Sequence, residues 1–303
     1  MNKLAVTIGN LTLKNPILTA SGTFGYGNEY APYFDVSALG GLISKTITLN
    51  PRAGNAFPRI AETPSGMLNS IGLANVGIDA FISEKMPYLR SLDTVNIVNV
   101  AGFTIDEYTE VVQRLEDVDG IDGYEVNISC PNVKEGGVAF GSNPNITAKI
   151  TANLRTITTR CLIMKLTPNV TRISDIARAA ADAGADSVSL INTLVGMAID
   201  VRTRRPKLAT ITGGLSGPAI KPVAIARVYE VAQAISLPII GIGGIMNADD
   251  VLEFMMAGAT AVQVGTANFI DPDVCMTIIN DLHSYCEREA IQSVGAVIGS
   301  MIM

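Results

Sequence analysis

Histidine is almost missing from this sequence: His283 is the only one in 303 residues. Acid–base chemistry here must therefore rest on another side chain, and a histidine-built metal centre is excluded. His283 falls in a helical pattern near the end of the chain, far in sequence from every apolar run, and reads as an ordinary helix residue. Cysteine is scarce too. Cys130, Cys161, Cys275 and Cys286 stand far apart with no CxxC pair, which excludes a disulfide framework, a zinc site and an iron–sulfur site. Basic charge is thin: Lys plus Arg number 22 against 28 for Asp plus Glu, a formal net charge of −6. The densest basic cluster, Arg202, Arg204, Arg205 and Lys207, reads as a solvated loop, and nucleic acid is excluded as a bulk partner. The longest apolar stretches, near 237–246 and 293–303, fall short of the roughly 18 residues of a membrane span. The opening residues MNKLAVTIGNLTLKN hold no signal-peptide core, so the expectation is a cytoplasmic protein with reduced thiols. No GxGxxG follows a strand and opens a helix, which leaves a Rossmann-type nicotinamide site unsupported.

What is present is a rhythm. Hydrophobic residues make up 48% of the chain, and short Val- and Ile-rich runs recur at 16–22, 41–47, 95–102, 124–130, 162–168, 186–193, 238–245 and 261–267. Continuous rather than alternating apolar character predicts strands buried on both faces, as in a parallel sheet. Helical patterns at 171–183, 220–235, 247–257 and 272–289 fall between or after them, the first opening at a Thr171 cap and the third running from Asn247 to Gly258. Eight such units predict a (β/α)₈ TIM barrel, with a doubly wound open sheet as the alternative. Ahead of the barrel, LAVTIGNLTLK predicts an N-terminal β-hairpin turning at Gly9-Asn10 and plugging the bottom. Residues 131–145 and 194–216 are longer than a barrel needs and predict lid-like loops at the C-terminal face of the strands. No composition break divides the chain, so residues 1–303 are expected to form a single domain.

The expected strand ends carry the chemistry. Lys45, Asn99, Asn127, Lys165, Asn192 and Thr193 sit at or just past them, and Asn69 lies in the Gly- and Asn-rich stretch NSIGLANVG (69–77). One such asparagine is an ordinary turn residue. Several on one barrel face predict a ligand edge with mixed donors and acceptors, such as a planar imide or a flavin, because an amide offers both at once. Lys165 interrupts the apolar run LIMKL and must find an anion: either a core carboxylate or the N1/O2 edge of a flavin, the partner favoured by its asparagine-rich surroundings. GIGGI (241–245) and VGTA (264–267) end the last two strands, where barrels commonly bind phosphate on bare N–H groups; GLSG (214–217) adds a further glycine loop and Ser21-Gly22 ends the first strand. Cys130 is the candidate base. A lone cysteine is commonly packing, but this one closes a strand run, precedes Pro131 and opens into the expected lid.

Taken in order from about residue 4 to about residue 290, ASGTFGYG (20–27), SKTIT (44–48), NSIGLANVG (69–77), NISCPN (127–132), GGLSG (213–217) and GIGGI (241–245) resemble the dihydroorotate dehydrogenase family. NISCPN together with NSIGL carries the specificity; the glycine loops alone do not. The resemblance implies oxidation of dihydroorotate to orotate in pyrimidine synthesis, with a base taking the C5 proton and hydride leaving C6 for flavin N5. It implies that FMN is held by Ser21, Gly22, Lys45, Thr46, Asn99, Asn127, Lys165, Ile191, Gly217, Gly243, Gly244, Gly265 and Thr266. It assigns substrate to Lys45, Asn69, Ser70, Ile71, Gly72, Leu73, Asn127, Asn192 and Thr193, and catalysis to Cys130 with Lys45.

Cysteine as base and the lack of an apolar extension set the chain apart from the membrane-associated class. NVKEGGVAFG (132–141) and GGLSGPAIKP (213–222) are similar to the soluble NAD-linked subtype. That subtype implies a partner subunit carrying FAD and a 2Fe–2S cluster, in a heterotetramer of two catalytic and two electron-transfer chains. The alternatives are a fumarate-using homodimer, a dihydropyrimidine dehydrogenase-like FMN barrel acting on uracil, and a non-redox barrel that binds a sugar phosphate. The Met-rich tail AVIGSMIM (296–303) matches none of the motifs.

Overall fold

The eight apolar runs become eight parallel strands: β1 (Ile17–Thr19), β2 (Gly41–Ile43), β3 (Val95–Val100), β4 (Gly123–Asn127), β5 (Cys161–Lys165), β6 (Ser187–Leu190), β7 (Ile239–Ile242) and β8 (Ala261–Val264). Each pairs with the next in sequence and β8 pairs back with β1, so the sheet closes into a barrel and the open-sheet alternative is excluded. This computed structural model describes residues 2–128, 134–135 and 138–302, the side chains of 134–135 and 138–139 excepted. Nearly every strand residue is buried, because helices cover the outer face while side chains fill the lumen.

The N-terminal hairpin forms from Val6–Ile8 and Leu11–Leu13. It sits at the bottom of the barrel, where the Cys161 thiol at the start of β5 reaches the Ile8 carbonyl at 3.7 Å. Just beyond it, Asn15 ties the first two strands together. Its Oδ1 accepts from Ile17 and Gly40 N–H, while its Nδ2 donates to the Ala38 carbonyl. A Cβ on Gly40 would stand 1.9 Å from the Asn15 carbonyl oxygen, so this close approach admits only glycine.

The expected helices appear as Ile173–Asp182, Lys221–Ala232, Ala248–Met256 and Val274–Arg288. Two more, Ile105–Glu116 and Pro144–Arg155, cover β3 to β5, and a broken helical stretch runs from Gly77 to Ser91. Asn247 caps its helix as expected, accepting from Asp250 N–H at 3.0 Å. Thr171 does not cap. That helix starts at Ile173, and its free donors at Ser174 are met instead by Glu230 of the neighbouring helix.

The stretch 194–216 is no open loop. Leu194–Met197 pairs with Thr212–Ser216, which pairs with Gly66–Asn69, which pairs with Ile60–Thr63, forming a four-stranded antiparallel sheet at the C-terminal end of the barrel. Its glycines signal close approach rather than a turn: a Cβ on Gly214 would press on Thr193, and one on Gly213 on the Asn69 carbonyl. The second expected lid, 131–145, lies partly outside the described residues; its described part includes a short pairing of Lys134–Glu135 with Val138–Ala139. Among the described residues no helix is long and apolar enough to cross a membrane. The tail packs on the barrel, with Val294 and Val297 buried and Gly299 N–H donating to the Met255 carbonyl.

Candidate active site

The centre of the barrel is polar. Glu125, in the middle of β4, is fully buried and accepts from side chains on four other strands. Its Oε1 takes Asn99 Nδ2 from β3 at 2.6 Å and Lys165 Nζ from β5 at 3.1 Å. Its Oε2 takes Ser189 Oγ from β6 at 2.8 Å and Gln263 Nε2 from β8. Lys165 Nζ also reaches Gln263 Oε1 and Ser21 Oγ, both at 3.4 Å. The core carboxylate that the sequence left as an alternative partner for Lys165 is therefore present, and it is Glu125. A buried carboxylate survives only when paired and fully hydrogen-bonded, and here each oxygen has two donors. Asn99 keeps one atom unused: its buried Oδ1 has no hydrogen-bond partner among the described residues.

Above this layer the expected amides come together. Asn127, closing β4, accepts at Oδ1 from Asn192 Nδ2 at 3.5 Å, and Asn192 Oδ1 takes Thr193 N–H at 2.8 Å. Thr193 abuts Gly214, whose carbonyl accepts from Asn69 Nδ2 at 3.4 Å. One continuous polar row thus runs from the end of β4 to residues Asn69–Leu73, all of them half-buried. Gly72 and Leu73 both have positive φ, 77° and 57°, turning the chain back so that Asn75 can take the Leu73 carbonyl. Lys45 and Thr46 follow β2 on the same end of the barrel. Lys45 is half-buried and has no ion-pair partner among the described residues.

The glycine loops meet at a second point. Thr266 Oγ1 donates to Ser216 Oγ at 2.9 Å, and a Cβ on Gly244 would stand 2.9 Å from the Gly217 carbonyl oxygen. Gly217, Gly243 and Gly244 have φ of 94°, 126° and 77°, and the N–H groups of Gly243 and Gly244 make no main-chain bond among the described residues. Gly265 lies against Ala20, next to Ser21 and Gly22, where an added Cβ at Gly22 would meet nothing within 4 Å. Ile191 is buried after β6, its N–H on the Ile242 carbonyl. The strand Thr212–Ser216 joins the two halves of the site, touching Asn69 at one end and Thr266 at the other.

Cys130 lies outside the described residues. The other three cysteines are buried, and burial pushes the thiols of Cys161 and Cys275 up to about 12 and that of Cys286 upward as well. Thiolate is the nucleophile, so brief iodoacetamide treatment of the native chain is expected to label Cys130 alone, read by peptide mass mapping. Labelling of Cys161 or Cys275 ahead of Cys130 would contradict this. His283 stands exposed on its outer helix, as an ordinary surface residue. Glu125, Ser189 and Gln263 were not singled out from the sequence; the cue for Glu125 was a carboxylate inside a strand buried on both sides.

The dihydroorotate dehydrogenase family profile matches residues 3–286. The chain is 56% identical, over 99% of its length and 98% of the relative's, to the dihydroorotate dehydrogenase B (NAD⁺) catalytic subunit of Geotalea uraniireducens. It is 50% identical to the catalytic subunit of the same name from Bacteroides thetaiotaomicron, over 99% of both chains. Among solved structures it resembles DHODH from Eimeria tenella in complex with ferulenol, at 25% identity and a TM-score of 0.83, covering 99% of this chain and 89% of that one.

Proposed function

The chain belongs to the dihydroorotate dehydrogenase family, and from that premise we propose that it is the catalytic subunit of an NAD⁺-linked enzyme oxidising (S)-dihydroorotate to orotate in pyrimidine synthesis. The observation that carries this is the identity of 50–56% over nearly the whole chain to catalytic subunits of that name. Those names favour the NAD⁺-linked reading over the fumarate-using homodimer and over the uracil-reducing barrel.

The family implies FMN, and the residues present fit it. The polar edge of a flavin carries one N–H between two carbonyls, and Asn99 Oδ1 is a buried acceptor with no donor among the described residues. Lys165 supplies a buried ammonium paired with Glu125, and Gly243 and Gly244 offer a phosphate N–H groups that make no main-chain bond among the described residues. Ser21, Gly22, Lys45, Thr46, Asn127, Ile191, Gly217, Gly265 and Thr266 complete the proposed holding set. Bound FMN supplies the acceptor for the hydride that leaves C6.

The chain's own residues do the rest. Cys130 Sγ takes the proton from C5. The Lys45 ammonium meets the substrate carboxylate, which explains a half-buried lysine with no ion-pair partner among the described residues. Asn127, Asn192, Thr193 and the segment Asn69–Leu73 hold the ring and carboxylate by donating and accepting along one edge. On the NAD⁺-linked reading, four scattered cysteines and no nicotinamide motif call for a second protein to carry the electrons on, which we assign FAD and a 2Fe–2S cluster in a two-plus-two heterotetramer. We further assign residues 1–303 to one FMN-binding domain working in the cytoplasm.

The test is optical. The purified chain is expected to be yellow, and its flavin band to bleach on anaerobic addition of dihydroorotate but not of dihydrouracil. A colourless chain that does not take up FMN, or bleaching by dihydrouracil alone, would falsify the assignment.

A further inference from the structure

We propose that Glu125 is a positioning residue for the flavin: it holds Lys165 as an ammonium in the dry barrel centre and turns the Asn99 amide so that its carbonyl oxygen faces the ligand. This rests on the flavin reading above. An ionised carboxylate only accepts hydrogen bonds. Asn99, bonded to it at 2.6 Å, must therefore present its NH₂ to Glu125 and direct Oδ1 away, and that oxygen is a buried acceptor with no partner among the described residues. Gln263 obeys the same constraint: its NH₂ points at Glu125 and its Oε1 at Lys165. One carboxylate thus orders two amides and an ammonium around a single point.

The charge argument is independent of the amide argument. Lys165 is buried, and a lysine there without a counter-ion gives up its proton. Glu125 is the one ionisable side chain bonded to it among the described residues; Ser21 after β1, Asn99 on β3, Ser189 on β6 and Gln263 on β8 are neutral. The ion pair at 3.1 Å gives Lys165 its counter-ion and places the ammonium within 3.4 Å of Ser21 Oγ. That charge favours negative charge developing on a bound flavin.

The test compares Glu125→Gln, which keeps the shape, with the double variant Glu125→Gln/Lys165→Met. Removing one partner of a buried pair strains the fold, whereas replacing both is close to neutral, so the double variant remains informative if the single one unfolds. Each apo-chain is titrated with FMN by fluorescence quenching, and the reduction potential of the bound flavin is followed between about pH 5 and 9. Both variants are expected to bind FMN about tenfold or more weakly than the parent chain, a loss of about 1.4 kcal/mol. The potential of Glu125→Gln is expected to gain a pH-dependent step as Lys165 titrates, absent from the parent chain and from the double variant. Parental affinity in either variant overturns the proposal. So does weaker binding by Glu125→Gln without the extra step, which assigns Glu125 to packing alone. Failure of the parent chain itself to bind FMN sinks the flavin reading instead.

Discussion

Replacing Cys130 with alanine is expected to leave the protein yellow and to lower dihydroorotate turnover by about 10²- to 10⁴-fold, the usual contribution of a positioned base. The reasoning is by role. A proton must leave C5, and the chain offers no histidine near the strand ends. The lysine of the barrel centre is committed to Glu125 at 3.1 Å. The remaining cysteines are buried with thiols pushed upward, so none of them can stand in. The same assignment fixes a pH dependence. Only the thiolate accepts a proton, and an unperturbed thiol ionises at about 8.5, so turnover should rise from neutral pH toward alkaline pH in the parent chain. The alanine variant should lose that rise along with the rate. Turnover near the parental value in the variant, or a parental rate that does not change with pH while hydride transfer limits it, removes Cys130 from the role.

The barrel was legible because its strands are buried on both faces, so each announced itself as a mainly apolar run of Val, Ile and Leu rather than as an alternating one. All eight appear where those runs lie, a few residues shorter at the ends. The sheet made by Ile60–Thr63, Gly66–Asn69, Leu194–Met197 and Thr212–Ser216 was not legible. Its strands are half exposed and carry Gly66, Gly196, Gly213 and Gly214, residues that normally argue against a strand. They are tolerated because Gly213 and Gly214 lie where a side chain would strike Asn69 and Thr193. Thr171 failed as a cap for a tertiary reason: Glu230, from another helix, reached the donors first.

At the site, the sequence identified the parts but not their wiring. Asn127, Asn192, Thr193 and Asn69 were recognisable singly as amides and hydroxyls at strand ends; only folding joins residues 65 and 145 positions apart into one row. Lys165 was recognisable as a charge needing an anion, yet its partner stands 40 positions earlier on a neighbouring strand. Glu125 was passed over because a lone acidic residue in YEVNISC reads as an interruption of the apolar run. Its meaning appears only when four strands turn donors toward it.

Gly244→Val is expected to cost the chain its FMN while the barrel still folds. Gly244 has φ of 77°, a conformation that a β-branched residue strongly disfavours. Its added Cβ would stand 2.7 Å from Lys221 Cβ and 2.9 Å from both the Lys221 N and the Gly217 carbonyl oxygen. Those neighbours cannot yield easily. The Lys221 ammonium is held by Asp250 at 2.5 Å and Glu253 at 2.8 Å, and Asp250 in turn takes Met246 N–H at 2.7 Å. The hydrogen bond to Asp250, followed by that to Glu253, holds the Lys221 pKa above its ordinary value, so the clamp persists through neutral pH. The loop 243–246 must therefore move instead, taking the Gly243 and Gly244 N–H groups out of line. Each charge-assisted bond to a phosphate contributes about 1.5–3 kcal/mol, so losing both weakens FMN about a hundredfold or more. If Gly244→Val keeps its flavin through dialysis as the parent chain does, the phosphate does not sit between Gly217 and Gly244.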